Sequence, residues 1–420
     1  MKFEVIKRSH VKRNIIIGII VVLILSAIIL TFTRAKYRVT KSLPLVNGTI
    51  NYELSDFNLI GAYIQAEGDN YTQVDEIPTS GYEFNAEKSY CTVNNENINA
   101  TLNYDMATQT LSVVPLTTKG TKCYLYFDEH VLGGDVILAS GNAPTEQTTD
   151  WTNDGQGVTY YYTGNPNNWV QFGGFWWRII RINGDGSIRM IYSGTNTDST
   201  TDDAIGVSSF NSSSNNNMYV GYMYGSSSSD YNTTHANINS STIKGTLDQW
   251  YQNNLLTNYG QYIDGNAGFC GDRRVSSGTG TTTNDTYYQA QTRIANSSPS
   301  PSLTCETLDI YTTSESSSGN KALTYPIGLI TADEVILAGI PYYSNGSNDN
   351  NYLTWTQSTY WTMTPSGGGR SVTTVFDVWG NQLSATIVTV NTGVRPVINL
   401  RADVALIGSG TTDDPFRLAE

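Results

Sequence analysis

Apolar and polar positions follow three regimes along this chain. Residues 15–33 form an uncharged run dominated by Ile, Val and Leu, with none of the polar breaks of an amphipathic helix. At about 1.5 Å rise per residue, such a run just spans a hydrocarbon core of roughly 30 Å, so it predicts a transmembrane helix acting as an uncleaved signal anchor. A removable leader would have an apolar stretch of about 7 to 15 residues and an Ala-x-Ala-like site, whereas this chain continues Thr31-Phe-Thr-Arg-Ala-Lys. Cleavage would leave the same protein outside but soluble. Basic residues flank both ends, five before the run and four after it, which gives only a weak preference for a cytoplasmic tail at 1–14 and an extracellular C-terminal part.

The second regime, residues 45–128, is a succession of short β-type runs separated by Asn-, Thr- and Gly-rich turns. Leu111-Ser-Val-Val-Pro-Leu and Cys123-Tyr-Leu-Tyr-Phe read as strands with at least one buried face. A small all-β sandwich is expected, serving as a spacer or as a second binding module. A Gly- and Ala-bearing linker at 129–144 leads to the third regime, 145–420. There Phe175-Trp-Trp-Arg-Ile-Ile-Arg-Ile, the turn Asn183-Gly-Asp-Gly and Ser187-Ile-Arg-Met-Ile-Tyr predict a β-hairpin. Trp176 and Trp177 cannot share a face, and the pair reads as structural rather than as a sugar-stacking platform. Ile243, Leu247, Trp250, Tyr251 and Leu255 recur at helical spacing after Ser240 or Ser241, and Thr331-Ala-Asp-Glu334 is a capping box opening a shorter helix. Strands return after Tyr360, and 194–240 and 274–303 read as polar surface loops.

Composition adds a location. Residues 1–41 hold nine Lys and Arg against one acid, leaving 15 Lys and Arg against 36 Asp and Glu for residues 42–420, a net of −21. That charge opposes a phosphate backbone, so nucleic acid is excluded as a partner. The four cysteines all follow the apolar run and none forms a CxxC pair, which suits two disulfides in an oxidising compartment. Of three possible pairings we expect Cys91 with Cys123 and Cys270 with Cys305, because each pair falls inside one candidate domain. Buried thiols are the alternative, and zinc is disfavoured by the lack of close spacing.

Tyr360-Trp361, followed by Gly393-Val-Arg-Pro-Val397, resembles the ending of uncharacterised bacterial surface domains related to the C-type-lectin fold and the formylglycine-generating-enzyme-like branch. The likeness covers about residues 150–402. It implies a larger α+β C-type-lectin-like domain, a recognition role, and a structural Arg395 whose guanidinium pairs with a buried carboxylate or loop carbonyls; Trp361 is structural too. The calcium lectins' Glu-Pro-Asn or Gln-Pro-Asp triplet is absent, and Cys270 and Cys305 have no neighbouring His to activate a thiol.

Catalytic motifs are missing as well: no Gly-x-Ser-x-Gly, phosphate loop or HExxH occurs. No cofactor or metal is implied, although the oxygen-rich stretches 198–203 and 345–351 could hold calcium. The expected contact face is the loop-rich surface around Tyr342, Tyr343, Tyr352, Trp355 and Gly367-Gly-Gly-Arg370, which is paratope-like in composition. The same aromatics could instead be core. The resulting expectation is a single-pass membrane protein, of bacterial surface type, binding an extracellular protein or glycan. The alternatives are a wall or glycan hydrolase using acids such as Asp272 and Asp377, and a structural envelope component.

Overall fold

The computed structural model describes residues 57–66, 70–78, 81–105, 110–114, 120–130, 132–151, 157–197, 203–282, 286–313, 319–343, 350–368 and 372–419. The predicted anchor at 15–33 lies outside the described residues, and among the described residues no helix is long and apolar enough to cross a membrane. Strand makes up 39% and helix 16%, so the expected combination of membrane helix, β-sandwich and α+β lectin-like domain is replaced by a mostly β fold. Much of the difference lies in the two stretches read as loops. They contribute strands Val207–Ser209, Met223–Tyr224, Val275–Ser277 and Thr286–Tyr288, and they bury Phe210, Val220, Tyr222 and Tyr288. Strands this short carry no period of their own and are held by their partners.

The chain divides into two compact units at His130 and Val131. In the first, five strands are ordered Tyr71–Val74, Phe57–Gln65, Thr121–Glu129, Tyr82–Val93, Glu96–Ile98, and Thr101–Asp105 pairs with Thr110–Val114 as a separate hairpin. Asn94 and Asn95, at φ +54° and +66°, make the two-residue turn into Glu96–Ile98, the left-handed geometry a tight hairpin demands. Alternation along Thr121–Glu129 places Cys123, Leu125 and Phe127 inside, where they meet Leu102, Tyr104, Leu111 and Val113 of the hairpin. The disulfide Cys91–Cys123 joins directly opposed positions of neighbouring strands.

The second unit is built on two sheets that share one apolar cluster. The first is antiparallel, with the hairpin of Phe175–Ile182 and Ile188–Tyr192 at its centre and Val397–Leu400 beside it; Met190 faces Ile398 although some two hundred residues separate them. The other is ordered Val207–Ser209, Asn391–Gly393, Trp355–Pro365, Thr374–Gly380, Gln382–Ile387. Helix Thr242–Asn254, capped by the Ser241 hydroxyl, sends Ile243, Leu247 and Tyr251 into the cluster. Each large apolar side chain so buried contributes about 1.5–3 kcal/mol. The expected linker is not free: helix Gly133–Ala139 buries Ile137 in this same core. Cys270–Cys305 closes a satellite cluster of Trp151, Leu303 and Ile310.

Candidate functional site

Strand Phe175–Ile182 is buried on both faces after Trp176, so its arginines must find partners inside the protein. Arg181 and Arg189 both donate from Nε to one oxygen of Glu334, at 2.9 and 2.5 Å. Glu334 also accepts the Thr331 amide proton at 2.8 Å, completing the capping box of helix Ala332–Leu337. Burial pushes this carboxyl up, but Arg189, Arg181 and the Thr331 amide more than reverse that, leaving it below the usual glutamate value. Both guanidiniums lie over the Trp151 ring, at 4.2 and 5.6 Å. This is architecture, reached by no opening to solvent: Glu334 is 2% exposed.

A second buried network holds Asp272, one of the acids that sequence offers for hydrolysis. Arg293 bridges it to Asp333, at 2.6 and 2.7 Å, and the Ser302 amide donates to Asp333 at 2.8 Å. The recess beside them, lined by Trp151, Cys270, Thr331 and Thr364, is too narrow for a water molecule. Asp377 lies on strand Thr374–Gly380, and no hydrogen bond or ion pair among the described residues joins it to this network. Glycoside hydrolysis needs two carboxyl groups open to substrate, whereas Asp272 and Asp377 are buried, at 4% and 1% exposure.

The expected contact residues separate. Tyr352 is buried, its ring 5.3 Å from the Arg178 guanidinium. Trp355's side chain and Arg370 lie outside the described residues. Tyr342 is half-buried, edge-on to Phe376, while Tyr343 beside it is 53% exposed. Trp177 is fully buried and Trp176 partly exposed against Trp169. Trp361 is buried and donates to the Ser208 carbonyl at 2.9 Å. Arg395 donates to the carbonyl of Tyr192 at the end of strand Ile188–Tyr192 and to the loop carbonyl of Leu353, and lies over Tyr360. Among the described residues no group of three or more His, Cys, Asp or Glu is placed to hold a metal ion.

One sheet face, exposed at its rim, does gather chemistry. Segment 341–343 docks alongside Gln382–Ile387 through two backbone hydrogen bonds to Leu383, which turns Tyr342 inward and Tyr343 outward. In the register of the neighbouring strands Asp377 faces Ser384 and Trp379 faces Gln382, so Tyr343, Ser384, Asp377 and Trp379 share one face, which towards its middle also carries the buried Trp361 and Val375. Trp379 is 58% exposed and Asp377 only 1%. Thr386 donates to Asp377 Oδ2 at 3.1 Å, while Ser384 gives its proton to Tyr343 Oη at 3.2 Å, leaving Asp377 Oδ1 without a partner. No protein-family model, curated protein or solved structure matches this chain. The assignment of the site therefore rests on this geometry.

Burial pushes the Asp377 carboxyl up to about 6 from an ordinary value of 3.8, against the lowering effect of the Thr386 hydroxyl, its own backbone and the nearby Ser384 hydroxyl. Sequence reasoning named Asp377 only as a possible acid and missed Trp379 and Ser384. The signal was present: in Phe376-Asp-Val-Trp379 period two puts the acid and the indole on one face and the apolar pair on the other. Because the folded pKa is raised, this group favours folding most below pH 3.8 and progressively less as pH rises to about 6. Asp377→Asn should therefore stabilise the protein by about 2–3 kcal/mol at pH 7.5 and leave stability at pH 3.5 unchanged. Urea titrations at the two pH values measure this, and an equal effect at both would contradict the assigned burial.

Proposed function

We propose that this is an exported recognition protein whose larger unit contacts a protein or glycan ligand through the face of Tyr343, Trp379, Asp377 and Ser384. The observation that carries the reading is the pair of exposed rings, Tyr343 at 53% and Trp379 at 58%, at the rim of a sheet face whose covered middle holds Asp377. Rings with exposed faces and polar tips supply contact area at little entropic cost. Two paired disulfides and an excess of acidic residues accord with work outside the cytoplasm, where a net negative protein avoids anionic polymers.

The full chain, screened on arrays of glycans and of purified surface proteins, should capture a defined ligand without turnover. Trp379→Ala and Tyr343→Ala should each weaken that capture about tenfold or more, with the unfolding midpoint unchanged, as centrally placed aromatic anchors do. Release of a cleaved product would replace binding with hydrolysis, and capture unaffected by both substitutions would remove the site.

A further inference from the structure

The first unit carries an aromatic surface that the second unit's site does not involve. Opposite the core residues Cys123, Leu125 and Phe127, strand Thr121–Glu129 turns Lys122, Tyr124, Tyr126 and Asp128 outward. Across the parallel pairing Tyr63 lies beside Tyr126, and across the antiparallel pairing Tyr90 lies beside Tyr124. Their rings overlap: Tyr63 on Tyr126 with centroids 4.8 Å apart and planes 12° apart, Tyr90 on Tyr124 at 4.9 Å and 22°. Tyr90 continues the row to Tyr126 at 6.3 Å, and Tyr71 meets Tyr126 edge-on at 5.1 Å. These separations fall in the favourable range for aromatic pairs. Gly61, directly opposite Tyr124, leaves the gap the row needs, since a Cβ there would sit 3.2 Å from the Tyr63 ring and 3.0 Å from Gln73.

An uncovered sheet face is normally a mixture of charged and small polar residues. Here all five tyrosines are half-buried, so solvent meets a continuous strip of ring edges tipped with hydroxyls. Its charges are largely spent. Asp128 accepts from Tyr71 and, at 2.7 Å, from Asn85, while Lys88 donates to Tyr71 at 2.7 Å and lies over that ring. Lys122 stands at the opposite end of the stripe, and Glu83, opposite Asp128, lies 3.4 Å from the His130 ring. Alternating apolar C–H surface and hydroxyls, with little net charge, is complementary to the surface of a sugar chain. A polyanion would meet repulsion from a protein of net charge −13.

We propose that this tyrosine row is a second binding surface, selective for an uncharged polysaccharide. Affinity electrophoresis of the full chain through gels containing neutral glucan, mannan, xylan or galactan tests it, with hyaluronate and polygalacturonate as charged comparisons. At least one neutral polymer should retard the protein. Tyr63→Ala combined with Tyr124→Ala should weaken that retardation about tenfold, with circular dichroism preserved. If the alanine pair fails to fold, Tyr63→Phe with Tyr124→Phe keeps the rings and removes only the hydroxyls, and a severalfold loss is expected. Retardation by none of the neutral polymers, by the charged ones alone, or equally for wild type and the phenylalanine pair would overturn the proposal. So would concentration-dependent dimerisation abolished by the same substitutions, which would assign the row to contact with a second copy.

Discussion

Glu334→Ala should unfold the larger unit, or lower its stability by about 3–5 kcal/mol, the cost of leaving buried charges without their partner. Two guanidiniums converge on this carboxylate from adjacent strands, and neither is exposed. Loss of the N3 half of the capping box adds to the effect. Glu334→Gln keeps an acceptor for the Thr331 amide and removes the charge, so it should fall between wild type and alanine. The same carboxyl sets an acid limit. Because its folded pKa is depressed, its contribution is present above the unfolded value and lost as pH falls through the folded one. All eight tryptophans lie in the larger unit, which makes urea unfolding followed by tryptophan fluorescence the direct measurement. A cost under 1 kcal/mol for the alanine variant would show that the guanidiniums find solvent or other acceptors.

The second large effect concerns the smaller unit. Cys91→Ala with Cys123→Ala removes a link between residues 32 apart in sequence, worth about 4 kcal/mol in the chain-entropy description. The unit's buried apolar cluster is small, centred on Leu102, Leu111, Leu125 and Phe127 beside the cystine, and domains of that size depend on such links. Limited proteolysis across a urea series should show strands Tyr82–Val93 and Thr121–Glu129 becoming cleavable at markedly lower urea, while the tryptophan signal of the larger unit is unmoved. Unchanged cleavage would mean that β-pairing alone sustains the unit. Breaking Cys270–Cys305 removes a comparable link, across 35 residues, and should instead loosen the cluster around Trp151 within the larger unit.

Local signals translated directly into structure where one short segment contained both halves of the interaction. The Phe175–Tyr192 hairpin, the capping box at Thr331 and helix Thr242–Asn254 are of this kind. The cysteine partners, too, are those that the spacing favoured. Strand Phe57–Gln65 was not legible, because it pairs in parallel with Thr121–Glu129 across some sixty residues and carries no turn signal between. Nor were the short strands within 194–240 and 274–303, whose polar composition suggested surface loops. The predicted contact face failed in part for a related reason: Tyr343 and Tyr352 look alike in sequence, yet one is exposed and the other sealed beneath Arg178.

Sequence by itself determined the period-two and helical segments, the acidic charge, the even cysteine set and the absence of recognisable catalytic motifs, since each is a property of neighbouring residues or of composition. Tertiary structure alone decided that Arg181, Arg189 and Glu334 form one buried unit, that Arg293 bridges Asp272 to Asp333, and that Asp377 shares a sheet face with Trp379, Ser384 and Tyr343. It likewise set five tyrosines from four strands into one row. These groupings depend on strand order and register between distant segments. A one-residue slip in any pairing would turn the same side chains to the opposite face.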